Sequence, residues 1–297
     1  FVVGAVIPFS LSKRMQENAS KSTLYLKLLK RFVLLFILGW IVQGNLLKFD
    51  SEQFRIFSNT LQAIAVGYFF SCISYIHLTK KWRYFVFVSC LISYALLLSV
   101  TNVPGLGQSE LLPDQNLALY IDRFVFGKFD DGTQYTWLLS GFGFTATTLS
   151  GIFAGELIKS KHPRKKVAMY LMIYGIIGLT IGLIWGIWHP IVKKIWTSSF
   201  VLASSGICYL LLAFFYWVID VKGKIKWVFP LKVIGSNAIT AYVLSHVFNF
   251  PKIANYLLFG LEKYLGAYYE VINTIGGFGL LYLLLWYMHK NNTFIKI

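Results

Sequence analysis

Five histidines are the residues best suited to exchanging protons near neutral pH: His77, His162, His189, His246 and His289. The first two and the last stand at ends of apolar runs rich in lysine and arginine. His189 and His246 stand near the opposite ends, so a base acting on a substrate at that side is one of these two. Neither has a carboxylate three or four residues away to orient its ring, and an interfacial histidine bonded to a carbonyl is the plainer reading of each. Polar groups inside apolar runs are the second pointer, because they are costly in lipid and turn inward. Ser236 and Asn237 lie in FPLKVIGSNAITAYVLSHVF, and Asn59 and Gln62 open the run SNTLQAIAVGY, preceded by Gln43 and Asn45. An amide at that depth bonds either a ligand or a neighbouring helix. No P-loop, dinucleotide fingerprint, HExxH or CxxC pattern occurs, and no metal is expected. Cys72, Cys90 and Cys208 sit in apolar runs and read as packing residues.

The elements that must position these groups follow from composition. Of 297 residues, 57% are hydrophobic and 13% charged, against about 45–50% and 25% in soluble domains. A water-soluble fold could not bury so much apolar surface, so the chain reads as an integral membrane protein. Disorder, collagen and a disulfide-stapled secreted module are excluded. At about 20 apolar residues per crossing, spans are expected near 24–47, 57–78, 83–102, 136–158, 167–188, 197–219, 228–250 and 269–288. The opening FVVGAVIPFSLS reads as the second half of another span that begins upstream of residue 1. It lacks the basic leader and cleavage site of a signal peptide.

The net charge of +16 sorts by side. One set of connections holds 20 of the 28 Lys and Arg, including Lys80, Arg83, Lys165, Lys222, Lys290 and Lys296, against only Glu17, Glu156 and Asp220. The positive-inside rule makes that set, and the C-terminus, cytoplasmic. The basic charge is therefore topology with some affinity for anionic lipid heads, not a nucleic-acid surface. The outer side carries the long connection 102–136, broken by Pro104, Gly105, Gly107 and Pro113 and containing a short amphipathic helix, NLALYIDRFVF. It also carries HPIVKKIWTSS and an interfacial or re-entrant helix within 249–270. Gly151 and Gly155, the stripe Gly175, Gly178, Gly182 and Gly186, and Gly276, Gly277 and Gly279 read as close-packing sites. The expected fold class is all-α, a single 1–297 domain forming a polytopic integral membrane helix bundle. It has about eight full spans, a truncated N-terminal span and an interfacial helix.

Seven segments taken in order resemble a known family: FVVGAVIPFSL, RFVLLFILGW, NTLQAIAVGY, PGLGQSELLPDQNLALYIDR, LLSGFGFTATTLSGIFAGELI, KKIWTSSFVLASSG and FPLKVIGSNAITAYVLSHVF. Together they touch nearly the whole chain, and PDQNLALYIDR and KKIWTSSF are the most specific. The family is that of the membrane acetyltransferases related to heparan-α-glucosaminide N-acetyltransferase, with many bacterial relatives. The resemblance implies an enzyme of a bacterial inner (plasma) membrane. It would take acetyl groups from cytosolic acetyl-CoA, a co-substrate, and pass them to an amine or hydroxyl of an extracytoplasmic sugar or glycan. It also implies a catalytic histidine just before the FVVG-like segment, upstream of residue 1. Ala63 departs from the pattern, since family members often carry Arg there.

On that reading Lys30, Arg31 and Lys232 meet the phosphates of acetyl-CoA at a cytoplasmic mouth. The active site faces the outer side, where Asp122 and Arg123 hold hydroxyls or an anionic group. Lys193 and Lys194 attract an acidic glycan, Trp196 stacks on a sugar face and Gln62 completes the acceptor site. Asn237, with Ser236, serves as oxyanion donor, and His246 or His189 as base. Further partners are membrane lipids and a second copy of the chain through the Gly175–Gly186 stripe. Two other classes compete: a secondary transporter of a small polar solute, and a non-catalytic scaffold or lipid-binding protein. Neither an internal repeat of spans nor an acidic residue within a span favours the transporter.

Overall fold

A computed structural model describes residues 1–16, 21–44, 54–104, 107–108 and 110–295. Glu17, Asn45, Gly105 and Lys296 lie outside them. The described chain is all-helical apart from one two-residue ladder. Its contacts group into two compact units: Phe1–Gly39 with Asn45–Gly223, and Trp40–Gly44 with Lys224–Ile297.

The first unit contains α1 (Val2–Gln16), most of α2 (Lys21–Gln43), α3 (Thr60–His77), α4 (Lys80–Val100), α5 (Leu117–Phe126), α6 (Gly141–Lys159), α7 (Arg164–Trp185) and α8 (Ser198–Tyr216). Polar side chains start several of them. Asn59 accepts from the amides of Leu61 and Gln62, Asn116 from Leu119 and Thr197 from Phe200, satisfying donors that a first helical turn leaves open. The expected amphipathic helix in the long connection is α5. It buries Leu117, Ala118, Leu119, Asp122 and Phe126. Just before it, β1 (Asn102–Val103) pairs antiparallel with β2 (Gly107–Gln108).

Small residues decide the packing. A Cβ on Gly4 would meet the Thr148 carbonyl, and one on Gly151 or Gly155 would meet the Phe1 or Ala5 carbonyl, so α1 and α6 touch backbone to backbone. The stripe on α7 is spent in the same way on α8: Gly175 faces Gly206 and Leu210, and Gly182 faces Ala203. It is consumed inside the chain, which removes it as the surface for a second copy.

The second unit contains α9 (Phe229–Ser236), α10 (Ala238–Val247), α11 (Phe250–Leu258), α12 (Glu262–Leu265) and α13 (Tyr269–Lys290). Asn237 breaks the first pair, which bends by 65°. α11 folds back on α13: the backbone at Phe250–Pro251 lies where a Cβ on Gly277 would sit, and Leu258 and Ala254 close on Gly276. Short 3-10 turns interrupt this region at Phe259–Leu261 and Gly266–Tyr268. A Cβ on Gly279 would meet nothing within 4 Å, so no close approach requires a glycine there.

Four stretches among the described residues are long and apolar enough to cross a membrane: Lys80–Val100, Arg164–Trp185, Ser198–Val221 and the interrupted Phe250–Lys290. The bent pair α9–α10 makes a fifth if it counts as one span. These apolar helices mark a membrane protein, but they do not support eight full spans. Helices do occupy the other expected runs, and their composition explains the difference. α2 carries Lys27, Lys30 and Arg31. α6 is diluted by Thr145, Thr147, Thr148, Ser150 and Glu156. Glu156 itself lies inside α6, 15% exposed and paired with Arg83 of α4.

Candidate functional site

Four of the expected site residues in the first unit meet around one aromatic cluster. Asp122 comes from the buried face of α5 and is fully enclosed. It accepts the backbone N–H of Trp137 at 2.6 Å and of Leu138 at 3.0 Å, just ahead of α6. Burial pushes its carboxyl up to about 7; the two amides oppose that shift, and Asp130 and Asp131 add to it. Trp137 in turn stacks on Phe57 with centroids 4.8 Å apart, and its Nε1 donates to Asp131 at 2.9 Å. Burial raises Asp131 as well.

Gln62 fixes the other half of that stack. Its Nε2 donates to the Ile56 carbonyl at 2.9 Å and its Oε1 accepts the Ser58 amide at 2.8 Å, which folds the chain so that Phe57 meets Trp137. Lys194 donates to Gln134 Oε1, and its carbonyl accepts the Thr136 amide at 3.1 Å. Trp196 sits edge-on to Phe144 and Phe200 and donates from Nε1 to Thr147 Oγ1 at 3.1 Å. Its φ of 50° is rare for a bulky residue, a strain of about 1–3 kcal/mol that the surrounding contacts must hold. Arg123 and Lys193 are exposed. Sequence reasoning missed Tyr94, whose buried hydroxyl donates to the Ile195 carbonyl at 2.5 Å and meets Ser140 Oγ at 3.0 Å. A tyrosine amid an apolar run gives no signal of that partner.

His189 is 3% exposed, lies against Trp185 and has no partner for Nε2; burial lowers its basicity. It is a poor base in this setting. Lys30 is exposed, while Arg31 lays its guanidinium 4.3 Å from the Tyr68 ring centroid. Among the described residues the buried Arg31 Nε has no hydrogen-bond partner.

The second unit holds Ser236, Asn237, His246 and Lys232. Asn237 is 1% exposed; Nδ2 donates to the Thr293 carbonyl and Oδ1 accepts the Ile295 amide, both at 3.1 Å. Its amide thus braces the segment after α13. Ser236 Oγ donates to the Val233 carbonyl at 2.9 Å and lies 3.3 Å from His289 Nδ1. That pairing was also missed, although both residues lie toward the basic end of their runs. Lys232 is exposed.

His246 is the one expected base with both an oriented ring and room beside it. Its Nδ1 lies 2.8 Å from the Tyr242 carbonyl, which can only accept, so Nδ1 carries a proton and donates there. The orienting group at i−4 is a carbonyl rather than the carboxylate sought in the sequence. His246 lines an open cavity of about 530 Å³ shared with Ser245, Asn249, Thr274 and Phe278. Among the described residues no three His, Cys, Asp or Glu side chains group for a metal. No protein-family model and no curated protein matches the chain.

Proposed function

We propose that the protein is a membrane acetyltransferase that moves an acetyl group from cytosolic acetyl-CoA to an amine or hydroxyl of an extracytoplasmic sugar, in a bacterial inner membrane with the C-terminus inside. The observation that carries this reading is His246, whose ring the Tyr242 carbonyl orients beside an open cavity. Acetyl-CoA supplies an activated thioester carbonyl. Nε2 takes the proton from the acceptor nitrogen or oxygen as that atom bonds to the acetyl carbon. The carbon–sulfur bond breaks and coenzyme A leaves as thiolate. Asn237 is the donor for the transient oxyanion, and Lys232, in the same unit, a cation for the phosphates.

The resemblance also supports the reading from the other unit. Asp122, Thr147, Lys194, Trp196 and Gln62 belong to four segments that carry it, and they lie around one polar and aromatic cluster. The broken α9–α10 pair, with an asparagine at the bend, favours a secondary transporter instead. Thermal unfolding with acetyl-CoA separates the two. Acetyl-CoA at 100 times its Kd should stabilise the protein by about 2.7 kcal/mol, less after Lys232→Gln. No stabilisation by acetyl-CoA, with stabilisation by a small polar solute, would establish the transporter.

A further inference from the structure

A groove between α7 and the end of α8 stands apart from this chemistry. It encloses about 430 Å³, has Ala168 and Ala213 at its floor and Met172 and Phe214 along its walls, and ends at Lys165 and Trp217. We propose that it binds one acyl chain of an anionic phospholipid, with the phosphate held between Lys165 and Lys222.

The groove lies between two of the candidate spans, and Met172 and Phe214 are exposed on them, so it opens where lipid would be. Its volume falls within the roughly 300–1,000 Å³ of ordinary small-molecule sites. From Lys165 to Met172 it follows α7 for about 10 Å at 1.5 Å per residue, room for a chain rather than a compact ligand.

Charge is confined to one end. The first turn of α7 carries Arg164, Lys165 and Lys166, no acid and no side-chain cap, so its amide donors and dipole favour an anion there. α8 closes with a π turn, Trp217–Val221, in which the Lys222 amide bonds the Trp217 carbonyl at 2.9 Å. That turn lays the Lys222 ammonium over the Trp217 ring, 5.6 Å from its centroid, next to the groove. Arg164 donates to the Asp220 carbonyl at 3.0 Å and ties the two helix ends together. Two cations from different helices therefore flank an apolar slot, against the single carboxylate of Asp220. A phosphodiester above an acyl chain matches that order of charge and grease; a zwitterionic headgroup would bring its own cation against Lys165 and Lys222.

Native mass spectrometry of the full chain, equilibrated with equal phosphatidylglycerol and phosphatidylcholine, tests this. The wild type is expected to retain one phosphatidylglycerol with a preference of about fivefold or more. Lys165→Gln with Lys222→Gln should abolish the preference, and Met172→Trp, on an exposed wall that does not support the helix packing, should remove the bound lipid. Inorganic phosphate should not displace it. Equal retention of both lipids by the wild type, unchanged retention in both variants, or displacement by phosphate alone would overturn the proposal. None of these readouts depends on acetyl transfer.

Discussion

Asp122 of α5 holds Trp137 at the entrance to α6 through a carboxylate–amide bond of 2.6 Å, and a second bond to Leu138 makes it the pin between these elements. Its carboxyl titrates near 7 in the folded protein, against 3.8 ordinarily. The folded state therefore holds this proton more tightly than the unfolded chain does. Its contribution to stability is greatest below about pH 4, falls as the pH rises toward 7 and is flat above that. Asp122→Asn, neutral at every pH, is expected to lose this slope and, with one acceptor oxygen for two amides, to leave one amide donor unsatisfied. Asp122→Ala, which strands two amide donors, should cost about 2 kcal/mol or more. A wild type and Asp122→Asn with parallel pH profiles would refute the assignment.

Arg83 and Glu156 form an ion pair between α4 and α6 with side chains only 10% and 15% exposed. Arg83 also donates to the Tyr75 and Leu78 carbonyls. Removing Glu156 leaves a buried guanidinium, so Glu156→Ala should destabilise by about 3–5 kcal/mol. The double change Arg83→Met with Glu156→Leu should recover most of that. Additive losses in a double-mutant cycle would show the two side chains uncoupled.

Trp196 is held at φ 50° by its bond to Thr147 and its edge contacts with Phe144 and Phe200. Trp196→Phe keeps the contacts and should cost about 1 kcal/mol for the lost hydrogen bond. Trp196→Gly relaxes the backbone but loses the ring, and a net loss of stability is expected. A more stable glycine variant in chemical denaturation would mean that the ring contributes nothing to the fold there.

The glycines of α7 are not equivalent. A Cβ at Gly182 would stand 2.8 Å from the Ala203 Cα, whereas one at Gly178 would be 3.5 Å from its nearest neighbours. Gly182→Ala should cost about 1–3 kcal/mol through overpacking. Gly178→Ala should be neutral or gain up to about 1 kcal/mol from helix propensity. Equal effects in thermal unfolding would contradict the packing described for α7 against α8.

The helices were legible because apolar runs of this length leave little alternative, and α5 announced itself by its amphipathic pattern. The span count was not legible in the same way. Runs such as those of α2 and α6 look continuous until Lys30, Arg31, Thr148 and Glu156 are weighed inside the helix rather than at its ends. At the site, a polar residue within an apolar run pointed to Gln62 as inward-facing, whereas Asp122, expected to meet a sugar, is fully buried. Residue type could not show that Asp122 and Gln62 spend their hydrogen bonds on backbone, because the chain segments they hold are 15 and fewer residues away in sequence but irregular in path. His189 and His246 looked alike in sequence; burial of one and the Tyr242 carbonyl beside the other separate them.

The most direct test follows radiolabelled acetyl groups from acetyl-CoA to amino and neutral sugars, using purified wild type, His246→Ala and His189→Ala. Label should appear on a sugar with the wild type, fall by about 100-fold or more in His246→Ala and persist in His189→Ala. Undiminished transfer by His246→Ala would remove the proposed base, and a folded wild type that moves no acetyl group would contradict the acetyltransferase itself.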